Sequence, residues 1–188
     1  MINIAVEGGA ATVLRLKGMD TQGMLRTSIF KALEFLRGKI VKALAAGTYG
    51  IKTKTGMLLN SINVLMESDT VGVVGPNKVY ARIQELGGEI RPKSAGALTI
   101  PIHPSAIGKR ASDFPDLALI KSKGGNAILA RVGGGGKNGY FIPMFVLKKS
   151  VKIPAHFYMR NTLEANKEEV LRMFDRQVAI EVKNVNKG

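Results

Sequence analysis

Residues 71–102 read VGVVGPNKVYARIQELGGEIRPKSAGALTIPI, and the changes of period within this stretch decide the fold. Val71, Val73 and Val74 are β-branched and stop at Gly75-Pro76, the pattern of a strand and its terminator. Val79, Ile83 and Leu86 then fall three and four apart, which predicts a short helix with those three as its apolar positions. Gly87-Gly88 closes it, because only glycine takes a left-handed C-cap without a Cβ penalty. Two further strands carry the chain to Ile102.

On the N-terminal side, residues 63–67 and 71–74 are expected to form a hairpin across the polar turn 68–70. Residues 57–62 predict a short helical turn, and 48–56 (TYGIKTKTG) an exposed loop carrying two lysines. Before them, Leu25, Ile29, Leu33, Leu36, Ile40 and Leu44 lie on one helical stripe, with Arg26, Lys31, Arg37, Lys39 and Lys42 off it. Asp20 or Thr21 caps this helix and Gly47 ends it, so its apolar stripe is free to pack on a sheet. Residues 2–7 and 12–17 alternate as two strands around Gly8-Gly9.

On the C-terminal side, residues 103–116 form a Pro- and Ser-containing surface loop. Residues 117–121 and 127–132 read as paired strands about Lys123-Gly124-Gly125-Asn126, and 133–139 as a flexible tip. Residues 104–140 are thus expected to be an inserted β arm. Strand composition returns over 141–153, and from about Phe157 to Val182 a last helix carries Met159, Leu163, Val170, Phe174 and Val178 on one face. The expected fold is α+β: one domain over residues 1–188, with a largely antiparallel sheet, long N- and C-terminal helices on one face, and the inserted hairpin arm.

A chain of 188 residues suffices for one good core. It has 28 Lys and Arg against 14 Asp and Glu, a net charge of +14, which favours an acidic partner: nucleic acid, a membrane surface or an acidic protein face. With no cysteine there is neither a disulfide framework nor thiolate chemistry. No apolar run approaches the ~20 residues needed to span a bilayer, and the first residues lack the basic start and apolar block of a signal peptide. Neither a membrane partner nor export by that route is expected.

Catalytic signals are weak. Residues 131–139, RVGGGGKNG, resemble a phosphate-binding loop, but Arg131 stands at the first glycine position and Asn138 follows Lys137 where Ser or Thr is needed. His103 and His156 are the only histidines and have no convergent carboxylates or thiols in sequence, so no metal is expected. Asp113 and Asp116 fit a Pro-containing turn better than an acid/base pair. No nucleophile or base emerges, so neither an enzyme nor a cofactor is expected. Basic clusters at Lys52 and Lys54, Arg91 and Lys93, Lys109 and Arg110, Lys121 and Lys123, and Lys148, Lys149 and Lys152 suit nonspecific phosphate contact with DNA. With aromatics at 6% and no tryptophan, stacking platforms for single strands are poorly supplied.

Three segments in order carry a resemblance. Thr53 to Ile62 is TKTGMLLNSI, Tyr80 to Gly88 is YARIQELGG, and Ile153 to Asn166 is IPAHFYMRNTLEAN. They resemble the Thr-Gly-x-Leu-x-x-Ser-Ile, Tyr-Ala-x-x-x-Glu-Phe-Gly and Ile-Pro-Ala-Arg-Pro-Phe-Leu-x-x-Ala-Leu-Glu-x-Asn patterns of the tail-completion family of tailed bacteriophages, also called head-tail joining or virion morphogenesis proteins. Leu86 replaces the usual aromatic, His156-Phe157 replace Arg-Pro, and Tyr158-Met159 replace Phe-Leu.

The resemblance implies a structural virion protein without catalytic residues, assembled in the host bacterial cytoplasm as a homo-oligomeric ring between connector and tail tube proteins. Ring symmetry uses two different faces of each subunit. The loops 48–56 and 104–139 are the candidates for reaching neighbours. Tyr80, Glu85, Arg91 and Lys93 are the expected contact residues, with Lys109, Arg110, Lys123 and Lys137 in the arm. A nonspecific basic DNA-binding protein acting during packaging is the alternative.

Overall fold

The computed structural model describes residues 4–5, 21–52, 55–121, 127–134 and 139–185. The fold is α+β, and the chain divides into two compact units: residues 1–87 with 154–188, and residues 88–153. The expected strand at 12–17 and the tip glycines at 135–136 lie outside the described residues.

In the first unit, β1 (Ile4–Ala5), β2 (Ile62–Met66) and β3 (Gly72–Pro76) form an antiparallel sheet in the order β1-β3-β2. The β2–β3 register, Val64 opposite Val74 and Met66 opposite Gly72, is that of the expected hairpin. Helix α1 (Thr21–Ala46) packs on both β2 and β3 and on the C-terminal helix, α3 (Tyr158–Val185). Its leucine and isoleucine stripe is buried throughout, with Leu33, Leu36 and Ile40 fully so. Each such side chain contributes roughly 1.5–3 kcal/mol relative to exposure. Ile62 and Val74 from the sheet and Tyr158, Met159, Val170 and Phe174 from α3 complete this core. Gly47, at φ +66, ends α1 in a conformation that favours glycine.

Three expectations change here. The short helix α2 (Ala81–Leu86) exists, but it buries Ala81 and Glu85, while Val79 is 99% and Leu86 44% exposed. Loop 48–56 is not wholly exposed, because Tyr49 and Ile51 pack against the core. Among the described residues every strand pairing is antiparallel, yet the strands form three sheets rather than one.

The second unit begins and ends on a small ladder. Strands β4 (Gly88–Ile90) and β9 (Val151–Ile153) pair with Gly88 opposite Ile153. Strands β5 (Leu98–Pro101), β6 (Leu117–Lys121), β7 (Ala127–Gly133) and β8 (Tyr140–Lys148) form a four-stranded antiparallel sheet ordered β5-β8-β7-β6. The predicted β6–β7 pairing is present, with Leu119 opposite Leu129. Residues 104–140 are therefore part of a larger insertion, since β7 takes its other neighbour from β8, and β8 is bordered in turn by β5. Within the loop 103–116, two 3₁₀ turns bury Ala106 and set Phe114 edge-on to the buried Phe145, with ring centroids 5.8 Å apart.

Candidate interface

Helix α3 begins without a capping side chain of its own. Its Ncap position is Phe157, whose carbonyl accepts the first helical bond from the Asn161 N–H at 2.8 Å. A phenyl ring offers no oxygen to the first-turn N–H groups, which have no intrahelical partner. Glu85 supplies it from α2: its carboxylate accepts from the Met159 N–H at 2.8 Å and from the Arg160 N–H at 3.1 Å. Negative charge at a helix N-terminus also suits the macrodipole. Main-chain bonds hold the two segments in register, from His156 N–H to Gln84 C=O and from Phe157 N–H to Glu85 C=O.

This explains why α2 turns Glu85 inward, and it corrects the expectation that Glu85 meets a partner. At 2% exposure, with both oxygens engaged, Glu85 is a joint inside the first unit. Phe157 sits at φ +48, a conformation costing a non-glycine residue about 1–2 kcal/mol. Arg160 lies over its ring at 4.9 Å. His156 Nδ1–H donates to the Tyr49 carbonyl at 2.7 Å, tying loop 48–50 to the same joint.

Beside Glu85, Tyr158 is fully buried and its hydroxyl has no hydrogen-bond partner among the described residues. Burial raises its pKa, and the neighbouring Glu85 and Tyr80 add to the rise. An unfolded tyrosine ionises near pH ~10, so above that pH the unfolded chain sheds this proton first. Stability from this group is thus intact below about pH 10 and falls as pH rises further. Tyr158→Phe removes an unsatisfied buried hydroxyl, and a gain of about 1 kcal/mol at neutral pH is expected. Urea denaturation at pH 7 and pH 10.5 checks both points, since the alkaline loss should be shallower in the variant.

Tyr80, immediately before α2, is 41% exposed and lines a groove of about 330 Å³ with Lys52, Met57, Leu58 and Gln84. Met57 is 51% exposed in the same groove, and Val79 adjoins Tyr80 in the chain. A second groove, of about 450 Å³, lies between α1 and β2, lined by Arg26, Thr27, Phe30, Val64, Leu65 and Met66. Among the described residues its floor strand β2 pairs only with β3. Sequence reasoning missed Met57, Val79 and this second groove. The available signal was Val79 following Asn77-Lys78 in a turn, ahead of the helix.

The other expected contact residues belong to the second unit. Arg91 is exposed and bonded to Glu89 at 2.8 Å, and Lys93 is exposed on the following turn. The Glu89 carboxyl is held below its ordinary value by a hydrogen bond from Ser150 and then by Arg91. Lys109 reaches over the Phe114 ring at 5.5 Å, and the exposed Arg110 donates its main-chain N–H to Asp113 at 2.9 Å. Lys123 and Lys137 lie outside the described residues.

Asp113 and Asp116 are engaged separately, Asp116 by the Arg131 guanidinium, which its hydrogen bond holds more firmly protonated. Among the described residues, no group of three His, Asp or Glu side chains is placed to hold a metal. No helix among them is long and apolar enough to cross a membrane. Compared with family models, curated proteins and solved structures, the chain matches none.

Proposed function

We propose that this protein is a structural component of a tailed-phage or prophage virion, forming a ring at the neck or tail end that completes the tail and joins it to the head connector. The observation that carries this reading is the Glu85 joint. The segments YARIQELGG and IPAHFYMRNTLEAN, whose order suggested the tail-completion family, meet through Glu85 and through two main-chain bonds from residues 156 and 157. One piece of architecture therefore accounts for both motifs, including the glutamate inside the first. It also gives a reason for phenylalanine being usual at the position of Tyr158, where the hydroxyl finds no partner.

The first unit also offers what a ring protomer needs. A heterologous contact joins two different surfaces of identical subunits, and the described residues of this unit include two distinct apolar grooves, at Tyr80 and beside β2. Met57→Asp and Tyr80→Asp place charge in the first groove at exposed positions, where substitutions usually change stability by within about 0.5 kcal/mol. Unfolding should stay near wild type while incorporation into particles is lost. Wild-type incorporation of both variants removes this groove from the contact.

Gold-labelled antibody against the protein tests the reading on purified particles. Label at the head–tail junction is expected. Particles that are infectious yet lack the protein contradict it.

A further inference from the structure

The second unit holds an apolar sheet face outside its packed cluster. Alternation along the strands, with the observed registers, puts Ile100, Val146, Ile128 and Ile120 in one row across β5, β8, β7 and β6. Val132 and Phe141 form a neighbouring pair on the same face. The packed cluster lies on the opposite face, around Phe145, Leu129, Leu117 and Phe114, and draws no member from this row. Val132 is 43% and Phe141 53% exposed, and the four residues of the row are half-buried.

Charge is concentrated in the same unit. Its 66 residues carry 11 Lys and Arg against 3 Asp and Glu, a net +8 out of the chain's +14. All three acidic side chains are already engaged, Glu89 by Arg91, Asp113 by the Arg110 N–H and Asp116 by Arg131. Lys148 stands opposite Leu98 at the end of β8, followed by the exposed Lys149 and Lys152.

We infer that this sheet face is a docking surface for an acidic protein with an apolar centre. Four strands about 4.8 Å apart and some five residues long present roughly 300 Å². That is well below the ~800 Å² per partner of a stable interface, so the lysines of this unit must contribute the rest. An apolar centre with a charged rim is the usual anatomy of such contacts. A second copy meeting this face through its own second unit is disfavoured, because +8 would be set against +8. Duplex DNA would use the lysines and leave the apolar row without a role. The inference is independent of the neck reading.

The test uses the full chain and fluorescence anisotropy with three labelled probes: a peptide of alternating leucine and glutamate, polyglutamate of equal charge, and a mixed-sequence DNA duplex. The Leu/Glu peptide is expected to bind at least about tenfold more tightly than polyglutamate, a difference of ~1.4 kcal/mol. Val132→Ser with Phe141→Ser should abolish that preference while leaving duplex binding unchanged. Lys149→Glu, an exposed change that leaves the apolar row intact, should weaken peptide binding severalfold. No peptide binding, equal binding of polyglutamate, retained preference in the serine variant, or a solution dimer that this variant dissolves would each overturn the inference.

Discussion

Glu85→Ala lowers the stability of the first unit by about 3 kcal/mol, the expected cost of two hydrogen bonds to a charged acceptor inside the fold. The buried Met159 N–H and the part-buried Arg160 N–H then lose their acceptor, and Phe157 at the Ncap position supplies none. Glu85→Gln keeps the shape and one acceptor but turns an amide NH₂ toward a main-chain donor. About half the loss is expected for it, in line with replacing one of two charge-assisted bonds. Urea denaturation followed by far-ultraviolet circular dichroism measures both. A loss below about 1 kcal/mol for alanine would mean that the carboxylate is not the cap, since loss of an ordinary Ncap residue already costs about that much.

Gly72→Val is the second large effect. A Cβ at this position would meet Leu33 Cδ1 and lie 2.8 Å from Met66 Sδ and 3.2 Å from Ile29 Cγ2, so the glycine is what lets α1 sit close on β3. Met66 has room to adjust, but Leu33 is fully buried and does not. Overpacking here is expected to cost about 3 kcal/mol for valine and about 1 for alanine. Combining Gly72→Ala with Leu33→Val should cost at least about 0.5 kcal/mol less than the sum of the single changes, because the two side chains compete for one space. Strict additivity would place the strain elsewhere.

The legible parts of the fold are those whose cause is local. The α1 stripe is long enough for its periodicity to dominate, hairpin β2–β3 is set by the polar turn between its strands, and β6 and β7 pair as neighbours in the chain. The β4–β9 and β5–β8 pairings join distant segments without a turn to announce them, so one sheet and a narrow arm were expected where three sheets and a wider insertion exist. Helix α2 was read correctly in place and wrongly in orientation. In six residues, three apolar side chains do not outweigh a carboxylate required at a helix N-terminus 74 residues away. The same gap misassigned Glu85, whose partners are main-chain groups that no side-chain pattern marks. Tyr80 was named as a contact candidate and stands exposed in the first groove, whereas Met57 was read into a helical turn and Val79 onto the apolar side of α2.

The central claim is that this protein acts at the joint between tail and head. Electron microscopy of lysates from the parent phage or prophage with this gene deleted tests it most directly. Full heads accumulating apart from unattached or irregularly ended tails, restored to joined particles by the gene supplied in trans, is the predicted result. Normal, infectious particles in the deletion would contradict it.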